Sequence, residues 1–517
     1  MDRTQWATEG SLAKLLRWRV AERPDREFLY VEDDGPWSYA AIAAQAVQYH
    51  DDLARGGVGR GDFVIVRVGN DERFPAAAFA VWMAGAAVVA MHPSAPEQDL
   101  LDVAQSMTPA AVIADPGDGP AHNSGLLVVD AGLFEPSTDH EVTLAAEGFV
   151  EHEAVAGSET ALVLLTSGST GKPKGVVLTH DGAWANLRAT VSAFRSDTAP
   201  TALASEPKPP NLIANPLSHT AGVVRLLFAL YVGRSVALLR KFNGVVAKRL
   251  IDRHGIDNLT INPAMMRMLL DQIPVGERLG PVRYASSGTA PLPQALREEF
   301  ESRFGIPVLQ AYGQTEAFGG IAIESVKDVL SGRRKPGSVG KPLPGVELRI
   351  VDTDGADVEQ GQVGELLVRT KSVTSGYLGN DASSPVDAAG WLLTGDRGRI
   401  DADGYLYITG RSKNIIICGG FNIVPEEIEA ALAHDPAVRD AAVVGISDAR
   451  LGEIPVALVE SSAEVSAVQV RAAARLAPYK RPRRLFIVNE LPRVANGKVD
   501  RPAATELART LVAATPL

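Results

Sequence analysis

Short apolar runs rich in valine, isoleucine and alanine alternate with helical stretches along the first part of the chain. Four such runs lie at residues 63–68, 87–90, 111–113 and 126–129. Runs of this kind are typical of strands that helices bury on both faces. Helices and buried strands in alternation predict a doubly wound α/β sheet. We therefore expect an α/β fold in which ligands bind beyond the carboxyl ends of the strands.

Two changes of pattern divide the rest of the chain. Residues 341–396 carry short strands interrupted by glycine and proline, which predicts a small β-barrel subdomain. Beyond residue 411 the pattern indicates a separate α+β module of about a hundred residues. Because 517 residues exceed what one hydrophobic core usually organises, we predict a large N-terminal domain, 1–410, and a small C-terminal domain, 411–517.

Composition excludes several classes of protein. The net charge of −11 disfavours a nucleic-acid partner, because the phosphate backbone would be repelled. A single cysteine, Cys418, excludes an internal disulfide and a cysteine-rich metal site. The start of the chain is polar and lacks the apolar core of a signal peptide. Pro75 and Gly85 divide the apolar stretch 74–91, so we expect a buried helix and a strand there and no membrane span.

A loop rich in glycine, hydroxyl groups and lysine joins two strand-like runs. Its candidate phosphate-binding residues are Thr166, Ser167, Gly168, Ser169, Thr170, Gly171 and Lys174. Glycines let backbone N–H groups approach anionic oxygens, and hydroxyls and lysines add hydrogen bonds and charge. No glycine lies five positions before Gly171, so this is not the common P-loop motif. The loop predicts binding of nucleotide phosphate, with a plain polar hairpin as the alternative.

Three further segments have polar groups just beyond a strand end. Residues 284–292 and 309–316 each pass from an apolar strand through small residues to polar ones, and His219 follows the strand that ends near residue 216. Such ends share one edge of an α/β sheet. We therefore expect these segments to line one crevice.

Six blocks taken together resemble the adenylate-forming superfamily, which includes acyl-CoA synthetases, peptide-synthetase adenylation domains and luciferases. They lie at residues 166–175, 312–316, 394–396, 410–413, 419–429 and 496–498. The resemblance covers most of the chain, in order. It implies that ATP activates a carboxylic acid as an acyl-adenylate with release of pyrophosphate, before the acyl group passes to a second substrate.

The resemblance implies a role for each nucleotide-binding residue. The glycine loop would hold the β- and γ-phosphates, Thr315 would hydrogen-bond the α-phosphate, and Glu316 would hold Mg²⁺. Asp396 would accept both ribose hydroxyls and Arg411 would donate to the same sugar. The residues expected around adenine are Ser287, Gly288, Thr289, Ala290, Tyr312 and Gly313.

The resemblance also implies a mobile C-terminal domain. Lys498 would reach from it into the site to bind the carboxylate and the charge that develops in the transition state. Rotation about Lys413 would withdraw Lys498 and bring the loop of Gly419 and Gly420 to the site for the second step. His219 corresponds to a gate between the nucleotide site and the second substrate's tunnel.

The acceptor is left open between two chemistries. Residues 419–422 and 479–482 resemble those of CoA ligases, so coenzyme A is the first expectation. The alternative is an amide ligase, in which an amine attacks the adenylate. A non-catalytic AMP-binding sensor is disfavoured because Glu316, Asp396 and Lys498 are all present. We expect a cytoplasmic enzyme, and no oligomeric state is predicted.

The acid is expected to be neutral beyond its reacting carboxylate. Residues 218–223 hold no acidic side chain that would pair with a substrate ammonium group, so amino-acid activation is disfavoured. The expected lining, residues 219–223, 286–290 and 313–320, consists mainly of small and apolar side chains.

Overall fold

The structure, a computed structural model, describes residues 10–132, 159–167, 173–195, 208–378, 384–411, 414–418, 421–448, 451–465, 468, 472, 476–494 and 497–515. The described strands are β1 (Glu27–Val31), β2 (Asp34–Ser38), β3 (Phe63–Arg67), β4 (Ala87–Ala90), β5 (Ala111–Ala114), β6 (Leu127–Asp130), β7 (Thr160–Ser167), β8 (Pro173–Thr179), β9 (Asn211–Ile213), β10 (Val236–Leu238), β11 (Asn258–Thr260), β12 (Tyr284–Ser287), β13 (Val308–Gln314), β14 (Gly319–Ile323), β15 (Lys341–Pro342), β16 (Glu347–Val351), β17 (Gly364–Arg369), β18 (Gly376–Leu378), β19 (Leu392–Ile400), β20 (Leu406–Arg411), β21 (Ile416–Cys418), β22 (Phe421–Ile423), β23 (Val438–Asp448), β24 (Gly452–Ser461) and β25 (Arg484–Val488).

The helices pack between and around these strands. In chain order they are α1 (Ala13–Glu22), α2 (Tyr39–Arg55), α3 (Arg73–Met83), α4 (Glu97–Met107), α5 (Gly119–Asn123), α6 (His180–Arg195), α7 (Thr220–Val232), α8 (Gly244–His254), α9 (Pro263–Gln272), α10 (Gln294–Phe304), α11 (Val326–Leu330), α12 (Pro425–Ala433) and α13 (Arg501–Ala514).

The largest sheet has the order β18-β8-β7-β4-β3-β5-β6. Its strands β7, β4, β3, β5 and β6 are parallel, whereas β8 and β18 extend it antiparallel at one edge. Alternate residues of β3 enter two different cores: Val64 and Val66 pack with α2 and α3, and Ile65 packs with α4. Helices therefore cover both faces, which confirms the predicted doubly wound sheet.

The apolar stretch 74–91 is a buried helix followed by a buried strand, as predicted. Gly85 adopts a φ of 73° in the turn between α3 and β4, a conformation that favours glycine. Among the residues that the structure describes, no helix is both long and apolar enough to cross a membrane.

Two smaller sheets carry the strands that lead into the candidate site. One has the order β2-β1-β10-β9, and the other has the order β11-β12-β13-β14-β15. Strands β11, β12 and β13 are parallel and their carboxyl ends therefore open on the same edge. Residues 284–292 and 309–316, which were expected to line one crevice, therefore both lie at strands that end on this edge.

The predicted small β-barrel subdomain is an open sheet in the described part of the chain. Strands β16, β17, β19 and β20 form a four-stranded antiparallel sheet, and its two edge strands do not pair with each other. A barrel closes only when edge strands tilt and pair, and four short strands instead cover one apolar cluster that includes Leu366 and Leu406. The prediction of short strands is confirmed, and the prediction that they close into a barrel is wrong.

The C-terminal part of the chain, meaning the described residues from 414 to 515, has cores of its own. Strand β24 lies at the centre of its sheet, between β23 and the parallel strand β25, and also contacts β21. Helix α12 covers one face and α13 covers the other, each with a separate apolar cluster. The expected α+β module is therefore present.

We predict a pH-dependent contribution of His180 to stability. Its Nδ1 accepts a hydrogen bond from the backbone N–H of Leu12 at 3.1 Å, and burial lowers the pKa of the ring from 6.5 to about 4. Below about pH 6.5 the unfolded chain therefore binds a proton that the folded chain does not, and stability falls as the pH drops toward 4. Between pH 7.5 and pH 5 this residue should cost on the order of 2 kcal/mol.

The variant His180→Asn tests this contribution, because the asparagine amide oxygen can replace Nδ1 as an acceptor and does not titrate. Its melting temperature should fall less between pH 7.5 and pH 5 than that of the unaltered protein. The matched control His122→Asn changes an exposed histidine and should keep the original fall. An equal fall in all three proteins would contradict the assignment to His180.

Candidate functional site

Strand β13 delivers two polar residues into the crevice at its carboxyl end. It passes directly into a 3₁₀ turn at Thr315–Ala317, and then β14 returns beside it. A Cβ atom on Gly313 would lie 2.1 Å from the carbonyl oxygen of Gly319, so only glycine permits this close return. The turn places Thr315 and Glu316 directly beyond the carboxyl end of β13, before β14 begins.

A buried carboxylate, Asp396, lies beside the same strand. Its Oδ2 accepts hydrogen bonds from Tyr312 at 2.6 Å and from Gln314 at 2.5 Å, and its Oδ1 accepts one from Arg411 Nε at 2.8 Å. Asp396 and Arg411 are cross-strand partners on β19 and β20. Burial, and then the charge of Asp396, raises the pKa of Tyr312 well above its usual range, so the phenol keeps the proton that it donates.

Glu316 is connected to the hairpin that carries the glycine loop. Its Oε1 accepts a hydrogen bond from the Tyr377 hydroxyl at 3.1 Å, and Lys174 Nζ lies 5.5 Å from the centre of the Tyr377 ring. At the root of the hairpin, Thr166 Oγ1 donates to the carbonyl oxygen of Lys174 at 3.4 Å. Four of the predicted loop residues, Gly168, Ser169, Thr170 and Gly171, lie outside the described residues, as does the side chain of Ser167 at the end of β7.

The segment after β12 lies against the strand that holds Tyr312. A Cβ atom on Gly288 would lie 3.4 Å from the carbonyl oxygen of Ala311, so backbone passes close to backbone here. Thr289 adopts a φ of 71°, which is rare for a β-branched residue and is typical of ligand-binding loops. Ser287 Oγ is buried and has no hydrogen-bond partner among the described residues.

Helix α7 forms the opposite wall. His219 immediately precedes it, and Thr220 in its first turn places Oγ1 2.8 Å from Thr315 Oγ1. Burial lowers the pKa of His219 to about 4, and the nearby His92 and Lys498 act in the same direction. The His219 ring is therefore neutral near pH 7.

Lys498 lies in this crevice although it belongs to the C-terminal part. Desolvation by the surrounding walls and the charge of Arg411 lower its pKa, whereas Asp396 and Glu316 act against this shift. Arg411, Asp396 and Glu316 act on the pKa of Lys498 because their charges lie near its ammonium group. The side chain itself keeps solvent contact through the open cleft.

Helix α9 supports this position of Lys498 at both of its ends. Gly497 has a φ of 82°, and a Cβ atom there would lie 3.2 Å from Ala264 Cβ in the first turn of α9. At the other end of the helix, Asp271 forms an ion pair with Arg439 of β23. The predicted hinge Lys413 and the loop residues Gly419 and Gly420 lie outside the described residues.

The structure thus brings together most predicted site residues that it describes. Residues from five separate segments converge on one crevice: His219, Tyr312, Thr315, Glu316, Asp396, Arg411 and Lys498. Four residues that neighbour this group had no individual role from the sequence, namely His92, Thr220, Gln314 and Tyr377. Thr220 and Gln314 stood inside the expected lining of the acid pocket, whereas His92 and Tyr377 became visible only because the fold brings distant segments together.

Comparisons with known proteins agree with this arrangement. A family model described as AMP-binding enzyme matches residues 16–378, and one described as AMP-binding enzyme C-terminal domain matches residues 427–498. The 2-succinylbenzoate–CoA ligase of Bacillus cereus is 32% identical over 497 residues, covering 94% of this chain and 96% of that protein. The sulfoacetate–CoA ligase of Cupriavidus necator is 32% identical over 521 residues, covering 96% of this chain and 98% of that protein.

Solved structures of o-succinylbenzoate CoA synthetase from Bacillus subtilis have the same fold. Its complex with an acyl-adenylate intermediate matches with a TM-score of 0.80 and 27% identity, covering 98% of each chain. Its complex with ATP and a magnesium ion matches with a TM-score of 0.81 and 27% identity, covering 97% of this chain and 100% of that one.

The electrostatics of the crevice predict how the pKa of Lys498 responds to its neighbours. Arg411→Gln removes a charge that lowers this pKa and should raise it, whereas Glu316→Gln removes a charge that raises it and should lower it. The pH dependence of Lys498 acetylation, followed by mass spectrometry without added ligands, measures both shifts. Two shifts of the same sign would contradict this arrangement of charges.

Proposed function

We propose that this chain, which belongs to the AMP-binding enzyme family, is an ATP-dependent acid–CoA ligase. In the first step an oxygen of the acid's carboxylate bonds to the α-phosphorus of ATP, and pyrophosphate leaves. In the second step the sulfur of coenzyme A bonds to the acyl carbon, the thiol loses its proton and AMP leaves. The observation that carries this proposal is the convergence of Lys498, Glu316, Asp396 and Arg411 on one crevice.

The first step needs positive charge where two anions meet. A carboxylate and a triphosphate repel each other, and the transition state concentrates charge on the oxygens around the α-phosphorus. Lys498 and the hydroxyl of Thr315 are proposed to bind those oxygens, Lys498 by charge and Thr315 by a hydrogen bond. A positioned donor of this kind is typically worth roughly a hundred- to a thousandfold in rate.

The ribose is proposed to bind at Asp396. A carboxylate has about four acceptor positions, and Tyr312, Gln314 and Arg411 already use three of them. Two ribose hydroxyls therefore require one of these donors to turn away. Arg411 is the candidate because 58% of its side chain is exposed, and from there its guanidinium can donate to the sugar. Adenine is proposed to lie between Tyr312 with Gly313 and the segment Ser287, Gly288, Thr289 and Ala290.

The phosphates and their metal are proposed to lie between the glycine loop and Glu316. A carboxylate oxygen is a ligand that Mg²⁺ prefers, and this ion is usually held by one or two carboxylates together with phosphates and water. Glu316 fits that requirement, and the described residues contain no cluster of three acidic, histidine or cysteine side chains that would favour another metal. When bound, Mg²⁺ would offset the negative charge of the phosphates.

The two steps are proposed to use two orientations of a C-terminal domain. We place the domains at residues 1–410 and 411–517, with Lys413 as the hinge. The contacts of Gly497 and Arg439 with α9 support the orientation that serves the first step. In the second orientation Gly419 and Gly420 would approach the site, and neutral His219 would open the path for the thiol. ATP and coenzyme A as substrates favour a cytoplasmic location.

One experiment distinguishes the proposed ligase from its alternatives. The protein is incubated with ATP, Mg²⁺ and a panel of aliphatic and aromatic acids, and then with coenzyme A or amines in separate reactions. We expect pyrophosphate release that depends on the acid, and a thioester with coenzyme A. An amide formed without coenzyme A would favour the amide ligase instead, and ATP binding without pyrophosphate release would favour a sensor.

We predict that Lys498→Ala separates the two steps. Adenylate formation from acid and ATP should fall at least a hundredfold because a charge on the transition state is lost. Thioester formation from a supplied acyl-adenylate and coenzyme A should stay within a few-fold, since Lys498 would be withdrawn in that step. Rapid-quench assays of each step measure the two effects.

The matched control for this experiment is Lys335→Ala. Lys335 is a partly exposed lysine that pairs with Asp401 and Asp403, and its loss should leave both steps unchanged. If Lys498→Ala slows both steps equally, the two-orientation scheme fails.

A further inference from the structure

Arg225 is a deep cation on the helix that forms one wall of the crevice. It lies in the second turn of α7, five residues after Thr220. Burial lowers the pKa of its guanidinium to about 10, yet part of the residue remains accessible. The guanidinium is therefore largely desolvated, although the residue is not fully enclosed.

No carboxylate among the described residues pairs with this guanidinium. Its Nη2 donates to Ser286 Oγ at 3.3 Å, and the phenol of Tyr284 is the one titratable group that influences its pKa. Ser286 Oγ already lies 2.9 Å from Thr260 Oγ1 and 3.3 Å from the carbonyl oxygen of Leu259. One long hydrogen bond to a hydroxyl satisfies little of a group that has five N–H donors.

The contacts of α7 show where Arg225 lies relative to the reacting end of the crevice. Thr220 contacts Thr315 in the part proposed to bind the α-phosphate. Val224 lies one turn further along α7 and packs against Gly319. A Cβ atom on Gly319 would lie 3.5 Å from Val224 Cγ2. Arg225 then contacts Ser286 of β12. Five residues of helix span about 7.5 Å, so Arg225 lies roughly that far along α7 from the contact between Thr220 and Thr315, beside β12.

We infer that Arg225 binds a second anionic group of the acid substrate, so that this enzyme activates acids with a carboxylate or sulfonate at the end remote from the reacting carboxylate. The inference rests on the proposed function, because it assumes that the pocket holds the acid. It replaces the expectation, drawn from the lining residues, that the acid is neutral beyond its reacting carboxylate. That expectation considered α7 only as far as Val223, two residues before the cation.

The energetics favour an anionic partner. A desolvated guanidinium without a counter-ion is costly, and an apolar acid would complete its desolvation without supplying an acceptor. A carboxylate or sulfonate would accept two parallel N–H bonds from the guanidinium fork, the geometry that arginine recognises best. A site built in this way discriminates strongly against an analogue that lacks the acceptor, because its polar group is then left unpaired.

The test uses pairs of acids with the same skeleton that differ in the second anion. Suitable pairs are succinate with succinamate, isophthalate with 3-carbamoylbenzoate, and sulfoacetate with methylsulfonylacetate. Binding is measured as the acid-induced rise in melting temperature in the presence of a non-hydrolysable ATP analogue. Turnover is measured as pyrophosphate release with ATP and Mg²⁺. The proteins are the unaltered chain, Arg225→Met, Arg225→Lys and the control Arg249→Met, which changes an exposed arginine on α8 that pairs with Asp33.

In at least one pair, the unaltered protein and Arg249→Met should favour the dianionic acid by roughly a hundredfold in kcat/KM, the discrimination expected for a charged hydrogen bond. Arg225→Met should remove this preference while its affinity for ATP stays within about twofold, and Arg225→Lys should keep part of it. The melting temperature of Arg225→Met without ligands, and its ATP affinity, show whether the variant is folded.

Two results would overturn the inference. One is an unaltered protein that favours the uncharged member, or neither member, of every pair. The other is a folded Arg225→Met that loses both members of a pair equally. If dianionic acids bind and Arg225→Met abolishes that binding, but no acid releases pyrophosphate, the inference on Arg225 holds and the proposed ligase activity fails.

Discussion

The buried carboxylate of Asp396 is the interaction on which the arrangement of the site depends. An ion removed from water is very costly unless donors surround it. Here those donors come from β13, through Tyr312 and Gln314, and from β20, through Arg411. The requirement to satisfy one charge therefore adds to an apolar cluster that the two sheets share, in which Ile321 and Ala322 of β14 pack with residues such as Leu366 and Leu406. Because Tyr312 and Gln314 precede Thr315 and Glu316 directly, the same contacts also fix the turn that presents those residues.

Lys498 depends on this framework in a different way. Its neighbours hold opposing charges, since Arg411 lowers its pKa while Asp396 and Glu316 raise it. Two contacts with α9 lie beside it: a glycine packs against an alanine at one end of the helix, and at the other end an ion pair joins side chains that are 57% and 42% exposed. Exposed ion pairs contribute little to stability. The proposed second step in another orientation requires that contacts of this kind be broken.

The sequence alone predicted the elements better than the contacts between them. Strands β3 to β6 and the helix at 74–83 could be assigned because uninterrupted apolar runs have few other uses in a globular protein. Strand β2 could not, because Asp34, Gly35 and Pro36 have low strand propensity and are held in place by pairing with β1. The barrel was predicted wrongly because short strands with glycine and proline are common to barrels and to open sheets. Motif residues such as Thr315 and Asp396 were assigned by resemblance. Only the fold shows that Tyr377 contacts Glu316 and that Thr220 contacts Thr315.

Arg225 illustrates why a pocket's chemistry is hard to obtain from its lining segments. In sequence it is one arginine in an otherwise apolar helix, the pattern of a buried helix with a single polar position. The fold turns that position toward β12, where the Ser286 hydroxyl and the Tyr284 phenol lie near it and none of the described carboxylates pairs with it. A helix that starts at the phosphate end and carries a cation one turn further in can bind both ends of an elongated dianion. The chain has a net charge of −11, so it offers no overall attraction to an anionic acid. Any electrostatic attraction at long range is also screened within about 8 Å at physiological salt. Recognition of such an acid must therefore come from cations close to it, and Lys498, Arg411 and Arg225 are among those that the described part of the chain offers.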